Sequence, residues 1–266
     1  TEKDDCGSYH KTRISLANKL STEIENSFRP DQCFNLLNSE AHYQSTAREI
    51  VQDCDGKLDM VIAPVSTGGQ LGGISRYIKK FFPETLVVGV DAQGSAVFGG
   101  EAHSYKIPGI GLGWTPVNLD MNIIDAAYKV SDEHAYMMAR AMAKHEGVLM
   151  GPSSGACMLI AAHYAKKLGK NRRIVCMVAD GGDRYIQTLF SDEWLKEQNM
   201  DLSTDVELLK KIASEQSPYA TDSDKMKNYH PELVSGLSIP ITTKTINEEI
   251  RAMQSIPSEQ KLAALL

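Results

Sequence analysis

The stretch from Asp59 to Phe82 constrains the fold most. It opens on the apolar, partly β-branched run Met60-Val61-Ile62-Ala63-Pro64-Val65, which suits a buried strand. It closes on Ile74, Tyr77, Ile78 and Phe81, apolar residues at helical spacing. Between them lies Ser66-Thr67-Gly68-Gly69-Gln70-Leu71-Gly72-Gly73, uncharged and rich in glycine. A strand feeding such a loop into a helix is a place to hold a phosphate. Glycine tolerates positive φ and close approach, and the first-turn N–H groups and the helix dipole attract an anion. No Lys-Ser/Thr follows the last glycine, and the G-x-G-x-x-G spacing is absent, so neither common nucleotide loop is matched. Taken alone, the loop reads equally as a cradle or as a bare turn.

The rest of the chain repeats the pattern. A second strand is expected at Leu86–Asp91 and a third at Ala127–Val130. Ser131 caps a helix with Asp132 and Glu133 in its first turn, and Gly147 stops it. Val148–Met150 reads as a short strand, followed by Gly151-Pro152-Ser153-Ser154-Gly155-Ala156 and a helix to about Leu168. Arg173–Val178 is the most β-prone run, ending in Ala179-Asp180-Gly181-Gly182-Asp183-Arg184-Tyr185. Alternating strands and helices predict an α/β fold, an open parallel sheet with helices on both faces. Ligands in such sheets collect beyond the carboxyl ends of the strands. The glycine junctions at 66–73, 151–155 and 180–182 fall at such ends and point to one shared cleft.

Before the first strand, residues 8–27 read as a helix with Ile14, Leu16, Ala17, Leu20 and Ile24 as its apolar stripe, and Pro30 follows it. Cys33–Leu37 reads as a short strand, and Ala41 opens a helix running to about Asp53. His42 on that helix is either a ligand contact or a capping or surface histidine. The aperiodic segment Ala92–Asn118 is long enough to expect function from it; an exposed excursion is the plainer reading. After Asn199 the character changes: residues 214–231 read as a polar linker, and 246–266 as one or two short helices. Two units are therefore expected, 1–198 and a C-terminal extension at 199–266.

A net charge of −6 without a basic block argues against nucleic acid as a partner. No apolar run reaches the roughly 20 residues of a membrane span, and no secretory signal is visible, so a cytoplasmic setting is expected. Cys6, Cys33, Cys54, Cys157 and Cys176 are scattered without metal-ligand spacing, which suits reduced thiols and no metal site. The chain begins at Thr1 rather than Met, and a fragment or processed product is expected.

With these junctions in place, the order of motifs resembles the fold-type II pyridoxal-phosphate enzymes, in particular the cysteine synthase and cystathionine β-synthase family. Four stretches carry the resemblance in family order: Ser66–Gly73, Lys106–Gly113, Glu146–Ala156, and Gly182–Tyr185 with Thr188-Leu189-Phe190. His42–Ile50 is similar to the helix preceding the phosphate loop, and the likeness covers about residues 8–195. It implies a tryptophan-synthase-β-like fold, pyridoxal 5′-phosphate as cofactor, amino-acid substrates and a possible homodimer. Carried over by position, Ser66, Thr67, Gly68, Gly69 and Gln70 would cradle the phosphate, with Gln70 where the family usually has threonine. Gly109, Ile110 and Gly111 would line the cofactor face. Asp180 would stand at the pyridine nitrogen, where many members have serine; an outward-turned helix cap is the other reading.

The chemistry implied is β-replacement on a serine-type amino acid. A lysine takes the α-proton, a group leaves Cβ, and a thiol, sulfide or amine replaces it. The family's lysine and the Asn-bearing loop after it, which binds the substrate carboxylate, lie upstream of the phosphate loop and have no counterpart here. The resemblance is therefore to the rear two-thirds of such an enzyme, N-terminally incomplete, with no catalytic residue assigned. The segments around Ala41-His42-Tyr43 and Lys106–Gly111 also resemble a siderophore-pathway synthase that makes N-(2-amino-2-carboxyethyl)-L-glutamate, a 2,3-diaminopropionate precursor. A non-catalytic paralogue binding a partner or cofactor is the alternative outside enzymes.

Overall fold

The computed structural model describes residues 2–3, 9–201 and 203–221. The expected helices at 246–266 and most of the expected linker lie outside them. The helices are α1 (His10–Glu23), α2 (Leu37–Gln44), α3 (Thr46–Asp53), α4 (Gly69–Phe81), α5 (Asp132–Ala141), α6 (Pro152–Leu168), α7 (Asp192–Glu197) and α8 (Val206–Glu215). The strands are β1 (Met60–Pro64), β2 (Leu86–Ala92), β3 (Ala126–Val130), β4 (Ile174–Cys176) and β5 (Ala220–Thr221).

The sheet order is β4-β1-β2-β3-β5. The first four strands are parallel, and β5 closes the far edge antiparallel to β3. Strand alternation divides the core. Met60, Ile62, Val88, Val90, Ala126 and Tyr128 face α5, α6 and α8. Val61, Ala63, Val65, Val87 and Ala127 face α3 and α4. Helices therefore cover both faces, as strands buried on both sides require.

Several elements differ from expectation. Residues 33–36 form turns rather than a strand: Phe34 and Asn35 donate to the Asp31 carbonyl at 3.0 and 2.8 Å. The helix expected from Ala41 breaks at Ser45, with φ −117° and ψ −80°, and its hydroxyl bonds back to the Ala41 carbonyl at 2.8 Å. Val148–Met150 makes only one antiparallel bridge, Met150 to Gly181. β4 is three residues rather than six, because only Ile174–Cys176 has β1 opposite it. The stripe of α1 is not covered: Leu16, Leu20 and Ile24 are 41–54% exposed.

The change of character after Asn199 does not coincide with a change of structural unit. Leu209, Ile212 and Ala213 of α8 are buried in the α5–α6 side of the core, and β5 adds to the same sheet. Leu209, Ile212 and Ala213 recur at helical spacing, and their burial against α6 draws α8 into the core.

Candidate functional site

The parallel register brings the predicted residues to one rim. Met60↔Ile174 and Ile62↔Cys176 align β1 with β4, so the turns leaving their carboxyl ends, 65–69 and 177–182, emerge side by side. The segment 93–119 folds back onto the same rim: Gly111 donates to the Val65 carbonyl at 2.7 Å, and the Ser66 hydroxyl donates to the Gly111 carbonyl at 3.2 Å. Ser66–Gln70, Gly109–Gly111 and Asp180 thus share one edge of the sheet.

Gly68 is the pivot. Its φ of +82° turns the chain from β1 into α4, and it caps that helix without a side-chain hydrogen bond. The N–H groups of Gly69, Gln70 and Leu71 open α4 and have no intrahelical acceptor, while Gly72 already donates to the Gly68 carbonyl at 2.7 Å. The Thr67 hydroxyl accepts from Asn38 Nδ2 at 3.2 Å, so its own proton is free for a ligand. Gly68 and Gly69 are buried, whereas Ser66, Thr67 and Gln70 are half-buried. Donors, an unopposed helix dipole and partial exposure suit an anion.

At Gly109 and Gly111, φ is +78° and +80°. A Cβ at Gly109 would meet nothing within 4 Å, whereas one at Gly111 would strike the Tyr105 hydroxyl at 2.5 Å. Gly109 is exposed and Ile110 buried. Asp180 lies against the other helix start on this rim. Its backbone carbonyl accepts from Gly151 at 3.1 Å, and Gly151 caps α6 without a side-chain bond. Asp180 Oδ2 accepts from the Tyr185 hydroxyl at 2.6 Å, whereas Oδ1 is buried with no hydrogen-bond partner. Asp180 therefore turns inward onto the start of α6 rather than outward as a cap of the helix after it. Burial and this carboxylate push the Tyr185 hydroxyl well above the usual tyrosine range.

His42 is not part of this edge. Its ring Nδ1 bonds the Thr46 hydroxyl at 2.9 Å, and its Cβ lies where a side chain on Gly73 would go. It packs α2 onto α4. Sequence reasoning misses Asn38, Tyr185 and Ser154, whose hydroxyl accepts from Ala179 N–H at 3.0 Å. Their roles rest on partners 29, 5 and 25 residues away. The ammonium groups of Lys106 and Lys129 are engaged elsewhere, with the carbonyls of Gln198 for the first and of Ser95 and Gly99 for the second.

An uncapped helix start, a glycine strip and a carboxylate with a buried, unpartnered oxygen thus meet at one rim of the sheet. The chain belongs to the pyridoxal-phosphate dependent enzyme family, whose model matches residues 4–180. It is similar to the cystathionine beta-synthase of Dictyostelium discoideum, 37% identical over 86% of this chain and 45% of that one. The mouse cystathionine beta-synthase is also 37% identical, over 70% of this chain and 34% of that one. The chain thus spans less than half the length of these relatives. Among solved structures, the cysteine synthase (OASS) of Entamoeba histolytica matches with a TM-score of 0.67 and 30% identity, over 77% of this chain and 59% of that one. A hydrogen sulfide-producing enzyme of Fusobacterium nucleatum matches with a TM-score of 0.62 and 30% identity, over 66% and 60%.

Proposed function

We propose that this chain carries the phosphate- and ring-binding portion of a pyridoxal-phosphate-dependent β-replacement enzyme, of the cysteine synthase or cystathionine β-synthase type, acting on a serine-type amino acid. The observation that carries the reading is the convergence of the uncapped α4 start, the Gly109–Gly111 strip and Asp180 on one rim. The cofactor fits there on charge and donors. The N–H groups of Gly69, Gln70 and Leu71 and the Thr67 hydroxyl would hold its phosphate. Gln70 would reach the phosphate with an amide N–H in place of the family's hydroxyl, or leave that position to water. Ser66 holds Gly111 in place, so the loop and the strip are positioned together. The unpartnered Asp180 Oδ1 would accept from a ring N–H, with Tyr185 orienting the carboxylate. An opposite charge there would keep the ring nitrogen protonated.

When bound, the cofactor supplies an electron sink for the pair released as a proton leaves the α-carbon of an amino acid. No lysine of this chain is assigned as the base. We place the protein in the cytoplasm, with small-molecule amino acids as its partners. Nucleic acid is not expected as a partner, which the net charge of −6 supports; nor is a membrane, and no helix among the described residues is long and apolar enough to cross one. A homodimer is one assembly open to the protein, and light scattering checks it.

The test is a titration of the purified protein with pyridoxal phosphate, followed by visible absorption, borohydride reduction and peptide mapping. Saturable binding that Gly68→Val abolishes supports the reading. An adduct on a lysine of this chain would supply the missing base. Absence of saturable binding to the full-length protein would sink the proposal.

A further inference from the structure

We propose that Asn38 of α2 is a positioning residue for the phosphate end of the cofactor and acts through the Thr67 hydroxyl, whose direction it sets. The inference rests on the reading that Ser66–Gln70 cradles a phosphate. Asn38 Nδ2 donates to the Gln32 carbonyl at 2.8 Å and to Thr67 Oγ1 at 3.2 Å. A carboxamide nitrogen carries two hydrogens, so both are engaged. Turning the amide over would set Oδ1 against the Gln32 carbonyl, two acceptors with no proton between them. The Gln32 carbonyl therefore fixes which end of the amide meets Thr67. That carbonyl is itself held: Asn118 Nδ2 donates to it at 3.3 Å, and Asn118 is buried.

Against this donor the Thr67 hydroxyl can only accept. Its single proton must point elsewhere, and among the described residues no protein group takes it. Thr67 is half-buried and directly precedes Gly68, so its hydroxyl stands beside the unpaired N–H groups that open α4. A lone pair aimed at an anion repels it, whereas a proton aimed at it adds a charge-assisted hydrogen bond. Asn38 selects the proton. The carboxamide is seated against the loop because residue 69 is glycine: a Cβ there would overlap it. Its helix is anchored on α4 as well. Glu40 pairs with Arg76 at 3.1 Å, and the rings of Tyr43 and Tyr77 meet edge-on with centroids 5.3 Å apart. Asn38 thus reaches Thr67, 29 residues on in the chain, from a fixed base.

The experiment is a double-mutant cycle on the purified full-length protein. It reads the affinity for pyridoxal phosphate by visible absorption and for inorganic phosphate by phosphorus NMR. Asn38→Ala should weaken both by the same factor, roughly three- to tenfold, the scale of one net hydrogen bond. In a Thr67→Val background, where the hydroxyl is gone, the same substitution should change neither by more than about twofold, the scatter of uncoupled sites. An equal loss in both backgrounds, or wild-type phosphate affinity in Asn38→Ala, would overturn the proposal and leave Asn38 a packing residue between α2 and α4. If Asn38→Ala does not fold, Asn38→Ser carries the same comparison. A wild-type protein that binds neither ligand would instead sink the functional reading. The coupling of Asn38 to Thr67 is then decided without ligand, by the two carboxamide protons of Asn38 in proton–nitrogen NMR. Thr67→Val should shift one of them and leave the other, bound to Gln32, in place; two unmoved protons would overturn the coupling.

Discussion

The glycines of the 66–73 loop divide by what their missing side chains permit. Gly68 needs positive φ, and a Cβ there would also crowd Pro116 Cγ at 3.0 Å. Gly69, Gly72 and Gly73 have ordinary helical backbone, and a Cβ on each would overlap Asn38, the Asn118 carbonyl and the Ser39 carbonyl respectively. Most of the glycine run therefore serves the close approach of α2 and the 116–119 segment to α4. Gly72→Ala should destabilise the fold by about 1–3 kcal/mol, as overpacking does, measured by urea unfolding. Gly109→Ala meets no neighbour within 4 Å and should cost only the left-handed backbone penalty of ~1–2 kcal/mol, so any larger loss of cofactor affinity would report on the site. Asp91 sets a pH dependence. Its folded-state pKa is raised to about 7, so the folded state holds its proton longer than the unfolded chain does. Its contribution to stability is full below the ordinary carboxylate value of about 4 and is lost as pH rises toward 7. Asp91→Asn should flatten that part of the Tm profile; an unchanged slope would assign it to another group.

At the scale of elements, local signals are reliable where the cap and the burial pattern agree. Ser131 accepts from His134 N–H at 3.3 Å and starts α5 as expected. Gly147 ends the helical segment after α5 with φ +69°. Cys33–Leu37 is not a strand because strand character needs a partner strand, and the Asp31-centred turns give this segment none. α8 carries a local signal that the sequence reading passed over. Its apolar residues Leu209, Ile212 and Ala213 stand at helical spacing behind an Asp205 cap, and His163 of α6, buried and with its ring Nδ1 2.7 Å from the Ala213 carbonyl, anchors it to the core. Leu209→Ala should cost about 2–5 kcal/mol, the range for emptying a buried leucine site. A change within about 0.5 kcal/mol in chemical denaturation, the usual span of a surface substitution, would show α8 to be dispensable.

At the scale of the molecule, the site is a rim on which three separate segments converge. A ligand that binds only the folded form stabilises it by mass action, about 2.7 kcal/mol at a hundredfold excess over Kd. Pyridoxal phosphate should therefore raise Tm, and Gly68→Val should remove the rise while inorganic phosphate reproduces only part of it. The residue order alone was enough for the alternation of strand and helix, the glycine junctions and the family likeness, because strand runs, caps and turn chemistry are short-range properties written within a few residues. Three-dimensional packing settled which glycines of the loop lie against a neighbouring segment, that Asn38 holds Thr67, that Tyr185 holds Asp180, and that α8 joins the core. Those facts depend on the register of β1 with β2 and β4 and on side chains meeting across long separations, and burial energy is counted only once distant surfaces have closed on each other.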